Sequence, residues 1–180
     1  MEQLRELAGL LAERNAVDAR IGAIIGRPAH IGHIGEYLAA AIFDLALHTS
    51  AVHPGSDGHF RSGPLSGRSV NVKWYAKLEG LLDINPLHLA DYSLVLTGPR
   101  QAAASSRGLL RPVALHAVYL FDLPVLVEDL RRRSLKMGVA TSVRCGLWDQ
   151  AEVYPASGNP TLPLTSEQRA VLAMFADPLA

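Results

Sequence analysis

The strand SVNVKWY at residues 69–75 constrains the fold more than any other stretch of this chain. Side chains alternate along a β-strand, so its valines and its tryptophan share one face, whereas Asn71 and Lys73 share the other. The loop SGPLSG joins it to a preceding strand over 57–62, and such a turn-rich connection predicts a β-hairpin. We therefore expect one apolar face that packs on helices and one polar face that can build a site.

The order of the remaining elements indicates a single α/β domain with a mixed sheet flanked by helices and an N-terminal helical extension. No internal repeat is visible. The patterns predict these elements: a helix over 2–14, a second helix that Asn15 caps and Gly26 ends, a third helix over 32–47, hairpin strands over 57–62 and 68–75, strands over 92–98 and 112–121, a helix over 124–136, short strands in TSVRCGLW and AEVYP, and a capped final helix in SEQRAVLAMFA. We divide the chain into helices (1–27), a core (28–122) and a C-terminal part (123–180).

Composition excludes several classes of protein. The 17 basic and 17 acidic residues cancel, so any binding of nucleic acid must come from a local patch. The single Cys145 allows no intramolecular disulfide and no cysteine-rich zinc module. The chain opens on charged residues, and its longest apolar run, YLAAAIF, is far shorter than the ~20 residues of a membrane span. We expect a soluble, cytoplasmic protein.

Glu36 lies on the predicted third helix, which is apolar almost all round and should be largely buried. A carboxylate there needs a metal, a cation or backbone amides as a partner. The alternative is that Glu36 lies in the first turn and only complements the helix dipole.

Three of these features together resemble the catalytic core of the restriction-endonuclease-like, or PD-(D/E)XK, nuclease superfamily. GEYLAA supplies a helix glutamate as Glu36, GSDG supplies an aspartate at the start of a strand as Asp57, and NVK supplies Lys73 on the next strand. Residues 30–98 also resemble a family of uncharacterised bacterial proteins with a GxDG…VNVKWY pattern. The resemblance implies an αβββαβ core and metal-dependent hydrolysis of phosphodiester bonds in nucleic acid, with DNA as the expected substrate.

The resemblance also implies a site. Glu36 and Asp57 would hold Mg²⁺ or Mn²⁺, which prefer oxygen ligands and often bind only one or two carboxylates. Lys73 would bind the phosphate or the attacking water as a point charge. We expect the site residues Glu36, Asp57, Asn71 and Lys73 to meet in one cleft because the helix packs on the sheet face that carries the last three. Members that cut duplexes often pair two sites, so a homodimer through the N-terminal helices is a further expectation.

The sequence departs from the superfamily pattern at Asn71, where an acidic residue is expected two positions before Lys73. Its amide oxygen can bind a metal but brings no negative charge. Glu79 or Asp83 could stand in as the missing acid. The alternative function is a catalytically inactive domain of the same fold that binds nucleic acid or a protein.

Four arginines are candidates for binding the nucleic-acid backbone, because phosphate contacts dominate such affinity. Arg61 shares the polar face of its strand with Asp57. The other three, Arg100, Arg107 and Arg111, lie in a loop of small and polar residues that could close on a strand of nucleic acid.

Overall fold

The computed structural model describes residues 1–49, 54–100 and 112–176. In those residues the chain forms five α-helices and eight β-strands. The helices are α1 (Glu2–Ile25), α2 (Ile31–Phe43), α3 (Leu123–Arg132), α4 (Cys145–Ala151) and α5 (Ser166–Ala173); the strands are β1 (Leu45–Leu47), β2 (Gly58–Phe60), β3 (Ser69–Tyr75), β4 (Leu81–Leu82), β5 (Tyr92–Thr97), β6 (Ala117–Asp122), β7 (Thr141–Ser142) and β8 (Glu152–Tyr154). The predicted mixed α/β class with an N-terminal helical extension is confirmed.

One six-stranded mixed sheet organises the molecule, with strand order β1-β2-β3-β5-β6-β8. β3 pairs in parallel with β5, and all other neighbours in this sheet are antiparallel. β5 and β6 are almost wholly buried, as expected for strands covered on both faces. A second, two-stranded sheet joins β4 to β7.

Helices cover both faces of the large sheet and divide its core in two. The first core lies between β3, β5 and the helices α2 and α5, and it includes Val70, Val72, Trp74, Leu38, Ile42 and Leu172. The second core lies on the other face against α3 and α4, and it includes Val95, Tyr119, Phe121, Leu126 and Trp148. The polar face of β3 therefore looks toward the α3 side.

The predicted hairpin is confirmed as the antiparallel pair β2 and β3, with Gly58 opposite Val70. Burial alternates along β3 at every residue, with the even-numbered positions buried. Gly58 also explains how β1 fits beside β2: a Cβ there would lie 2.2 Å from the carbonyl oxygen of Ala46, so only glycine allows this approach.

Several predicted boundaries are wrong. The two N-terminal helices are one continuous helix, α1, with Asn15 in its interior and Gly26 in the left-handed conformation that ends it. The third helix ends at Phe43, because Asp44 takes a left-handed conformation with φ of 53°. The following LAL is strand β1, which the continuous apolar pattern had concealed.

Two further elements differ from expectation. The crossover from β3 to β5, residues 76–91, contains β4 and no helix, so the second helix of the implied αβββαβ core is not found there. The second half of TSVRCGLW, residues 145–148, begins helix α4 and is not strand. The final helix is confirmed, with Thr165 and Gln168 forming a capping box.

The helices of the described residues were compared with the length and hydropathy of a membrane span. None of them is both long enough and apolar enough to cross a bilayer.

Candidate functional site

Asp57 precedes β2 and lies where this strand stops pairing with β3. Its backbone N–H donates to the carbonyl of Val70 at 2.9 Å, which continues the ladder by one bond. Its carboxylate Oδ2 then accepts a hydrogen bond from the backbone N–H of Val72 at 2.6 Å. The side chain of Asp57 thus takes the place of a strand partner at this edge of β3, which fixes the position of its carboxylate.

The electrostatics of Asp57 identify its charged neighbours. Burial raises the pKa of the Asp57 carboxyl above its ordinary value, and the negative charge of Glu36 raises it further. The hydrogen bond from Val72 and the charge interactions with Lys73 and His48 lower the same pKa, but the net shift is upward. The charges of Glu36 and Lys73 therefore both act on the Asp57 carboxyl.

The packing of helix α2 on the sheet corrects one expectation about the site. Helix α2 packs on the apolar face of β3: a Cβ on Gly35 would lie 3.1 Å from the Cβ of Trp74. Asn71 and Lys73 point to the other face, where they line a cavity. The expectation that α2 packs on the face carrying Asn71 and Lys73 is wrong, because an apolar helix buries the apolar face of a strand. The expectation that Glu36, Asp57, Asn71 and Lys73 meet in one cleft is also wrong: Asn71 and Lys73 line the cavity on the polar face, and neither Glu36 nor Asp57 lines it. Glu36 lies on the helix that covers the opposite face of the sheet from Lys73.

Glu36 is paired with a cationic side chain. It forms an ion pair with Arg27, which follows α1, and its side chain is 21% exposed. Glu36 is the sixth residue of α2, so it lies beyond the first turn and the helix-dipole alternative does not explain it.

His48 lies beside Asp57, and the sequence pattern did not predict it as a site residue. Its backbone N–H donates to the Asp57 carbonyl at 2.8 Å, and its ring Nε2 lies 3.1 Å from the hydroxyl of Ser56. His48 directly follows β1, which the sequence pattern assigned to a helix. The pairing of β1 with β2 brings His48 opposite Asp57, and no local signal in the sequence announces that pairing.

A cavity of about 270 Å³ opens on the polar face of β3. Its sheet side is lined by Asn71, Lys73 and Ser93, and its other side by crossover residues that include Asp83 and His88. The hydroxyl of Ser93 is buried and has no hydrogen-bond partner within the described part of the chain. Buried polar groups are nearly always satisfied, so this hydroxyl is available to a bound molecule.

The two residues considered as substitutes for the missing acid differ. Asp83 lines the cavity with Lys73, and its Oδ1 accepts a hydrogen bond from the N–H of Ala140 at 2.8 Å. Its own N–H donates to the hydroxyl of Tyr75, whose pKa burial raises to about 12. Glu79 is instead held by an ion pair with Lys77. Of the two, Asp83 is the one that shares a cavity with Lys73.

The predicted phosphate-binding arginines are engaged with acidic side chains where the structure describes them. Arg61 forms an ion pair with Asp44, with Nε 3.1 Å from Oδ1, and Arg100 lies 3.3 Å from a carboxylate oxygen of Asp149. Arg107 and Arg111 lie outside the described residues. A role of these four side chains in binding nucleic acid stays a prediction.

The donor set was tested for its fit to a metal ion. Among residues 1–49, 54–100 and 112–176, no group of three or more His, Cys, Asp or Glu side chains is arranged to hold a metal. Glu36 and Asp57 offer two carboxylates, and Asp57 Oδ1 accepts no hydrogen bond in the described part of the chain. This set does not suit zinc, whereas Mg²⁺ and Mn²⁺ often bind only one or two carboxylates and keep several waters. A cation would also offset the repulsion and burial that raise the pKa of Asp57.

Comparison with family models and curated protein sequences adds no relative. The chain matches no family model and no curated protein sequence. The interpretation of the site therefore follows from its residues and their geometry.

Proposed function

We propose that this protein is a metal-dependent nuclease that hydrolyses phosphodiester bonds of nucleic acid, with DNA as the first substrate to test. The observation that carries the proposal is the Asp57 carboxyl, which is half-buried at a strand edge, has a pKa raised chiefly by burial, and interacts with the charges of both Glu36 and Lys73. A carboxylate kept in such an environment marks a functional-site candidate, because structure alone gains little from it.

In this proposal Glu36 and Asp57 hold Mg²⁺ or Mn²⁺. The bound ion would supply an acidified water and offset negative charge at the phosphate during attack. Asp57 is held ready by the N–H of Val72, so one carboxylate oxygen keeps its position whether or not substrate is bound. Glu36 would have to share its charge between the ion and Arg27.

The cavity on the polar face of β3 would receive the nucleotide next to the cleaved bond. Lys73 would donate to a phosphate oxygen there, and the Asn71 amide and the unpartnered Ser93 hydroxyl would add neutral donors. Donors in fixed positions stabilise a developing negative charge more than water does, because they need no reorganisation. Two such sites are needed to cut both strands of a duplex, so we propose that the chain acts as a homodimer.

The second candidate function is a catalytically inactive domain that binds nucleic acid or a protein. Three observations favour it: Asn71 brings no negative charge to the acidic position, Arg27 already neutralises Glu36, and Glu36 and Lys73 lie on opposite faces of the sheet. The first two would weaken a metal site, and the third separates the predicted metal ligand from the predicted phosphate-binding lysine.

The test that separates the two candidates is cleavage together with metal binding. Plasmid DNA, single-stranded DNA and RNA are incubated with the protein and Mg²⁺ or Mn²⁺, and metal binding is measured by calorimetry. The nuclease proposal expects cleavage that chelator abolishes, and an Asn71→Asp variant that binds the metal more tightly. If wild type and Asn71→Asp both fail to bind metal and cut no substrate, the inactive domain is the better description.

A further inference from the structure

Helix α1 is the least covered element of the fold. It spans 24 residues, which at 1.5 Å per residue is about 36 Å, and it has no buried residue. Leu4, Leu7 and Leu11 are 63%, 51% and 48% exposed. Leucines on one side of a long helix are normally buried against another surface, so this side lacks a partner in the described chain.

The exposed leucines belong to a stripe that runs the length of α1. Its members recur at alternating spacings of three and four residues, the pattern of the contact positions in a coiled coil. In chain order they are Leu4, Leu7, Leu11, Arg14, Asp18, Ile21 and Ile25. The stripe is therefore apolar at both ends and charged in the middle.

The two halves of this stripe have different surroundings. The C-terminal half faces its own domain, where Ile21 and Ile25 are half-buried and line an apolar groove of about 680 Å³. Trp74 and Phe175 form part of the opposite wall of that groove. The N-terminal half, with its leucines, does not line the groove. One molecule therefore carries both an open apolar groove and a row of exposed leucines on the same helix face.

We propose that α1 pairs antiparallel with α1 of a second copy of this chain, about a two-fold axis through the middle of the helix. The stripe reads the same from both ends in such a pair. Leu7 meets the partner's Ile25, Leu11 meets the partner's Ile21, and Arg14 meets the partner's Asp18. The leucines of each copy then enter the groove of the other, and the interface is reciprocal as two-fold symmetry requires.

The charged centre selects this arrangement over the alternatives. Arg14 and Asp18 already form an ion pair within one helix, with Nε 3.6 Å from Oδ2. In an antiparallel pair each of them also faces an opposite charge, whereas a parallel pair in register would place arginine on arginine and aspartate on aspartate. Charged residues at contact positions of coiled coils set register and orientation in this way.

The experiment measures the association of the full chain by analytical ultracentrifugation, with circular dichroism to confirm that each variant is folded. Wild type should be a dimer at micromolar concentration. Leu11→Glu should weaken association by at least about tenfold, since it buries a charge in the interface. Ala16→Glu is the matched control: Ala16 is exposed on α1 and lies five residues from both Leu11 and Ile21, about 140° round the helix from each. Its dimer should be unchanged.

Charge reversal tests whether the charged centre of α1 lies in the interface. Arg14→Asp and Asp18→Arg should each weaken the dimer, and the double variant Arg14→Asp/Asp18→Arg should restore it. An equimolar mixture of the two single variants should form heterodimers. A wild-type monomer would overturn the proposal, leaving the stripe for an unrelated partner. A dimer that withstands Leu11→Glu and both charge reversals would also overturn it, because it would use another surface. None of these association measurements depends on whether the protein cleaves nucleic acid.

Discussion

Two aspartates serve opposite edges of the same strand, and they differ in what their surroundings do to them. Asp57 accepts a hydrogen bond from the N–H of Val72 at 2.6 Å, and Asp91 accepts one from the N–H of Ser69 at 2.8 Å. The pKa of Asp57 is raised by burial, whereas the pKa of Asp91 is lowered by hydrogen bonds from the side chain and backbone of Ser69. Both carboxylates accept from the backbone of the same strand, but the surroundings disfavour the charged form of Asp57 and favour the charged form of Asp91.

The reason lies in burial and in hydrogen-bond donors more than in neighbouring charges. Asp91 is surrounded by donors: the Ser69 hydroxyl lies 2.7 Å from its Oδ2 and Arg68 lies 3.2 Å from its Oδ1. Asp57 is more deeply buried and has the like charge of Glu36 nearby. A satisfied carboxylate such as Asp91 is explained by structure alone. The surroundings of Asp57 disfavour its charged form, and a bound cation would explain why a carboxylate is placed there. This contrast between the two aspartates is the basis of the proposed function.

The largest effect expected from this contrast is on catalysis. Asp57→Asn keeps an oxygen that can accept from Val72 but removes the charge, so cleavage should fall by roughly 10²-fold or more. Lys73→Met should cause a loss of similar size, because it removes a positive charge beside the phosphate. Asp91→Asn is the control and should keep its activity per folded molecule. Rates of plasmid nicking with Mn²⁺ measure all three; equal losses in the Asp57 and Asp91 variants would remove the distinction between these residues.

The next effect is on stability in the presence of metal. An ion that binds only the folded state at a hundred times its Kd stabilises it by about 2.7 kcal/mol. Wild type should therefore melt at a higher temperature when Mn²⁺ is added, and Asp91→Asn should respond in the same way. Asp57→Asn should show almost no shift. Differential scanning calorimetry with and without Mn²⁺ checks this, and an unchanged response in Asp57→Asn would place the ion elsewhere.

In the absence of metal, substituting Asp91 should cost more stability than substituting Asp57. Asp91→Ala removes the acceptor for Ser69 and should cost about 1–3 kcal/mol, as for a lost hydrogen bond to a charged group. Asp57→Asn should leave the free energy of unfolding unchanged or raise it, because it removes a buried charge that repels Glu36. Urea denaturation measures both changes. A clear loss of stability in Asp57→Asn would show that this charge is part of the structure.

The smallest effect is the pH dependence, which should have opposite signs for the two residues. A raised folded pKa means that the folded state binds the proton more tightly, so the contribution of Asp57 to stability falls as pH rises from its unfolded pKa of about 3.9 through its higher folded pKa. The contribution of Asp91, whose folded pKa is lowered, is present above about pH 3.9 and is lost as pH falls through the folded pKa. Subtracting the urea stability of each asparagine variant from that of wild type between pH 3 and 7 isolates these slopes, and equal signs would contradict the assigned shifts.

The sequence was sufficient to predict the strand that carries the site, because the period of two in SVNVKWY is a local property that folding preserved. The site's aspartate could be placed for the same reason, since it directly precedes the paired strand β2. The final helix was also predictable, because Thr165 and Gln168 interact within one turn.

The rest depended on contacts that no local pattern contains. His48 was missed because β1 continues an apolar run that suits a helix equally well, and only the left-handed conformation of Asp44 separates the two. Alternation showed which residues of β3 share a face, but it could not show which helix covers that face. The ion pair between Arg27 and Glu36 joins the end of α1 to α2, so it was also invisible before the fold was known.

The measurement that tests the central claim most directly is the anomalous scattering of a crystal soaked in Mn²⁺. The account predicts one strong anomalous peak between the carboxylates of Glu36 and Asp57, with Arg27 moved away from Glu36 or sharing it with the ion. A crystal that binds no Mn²⁺ there, with the pair between Arg27 and Glu36 intact at saturating metal, would contradict the account.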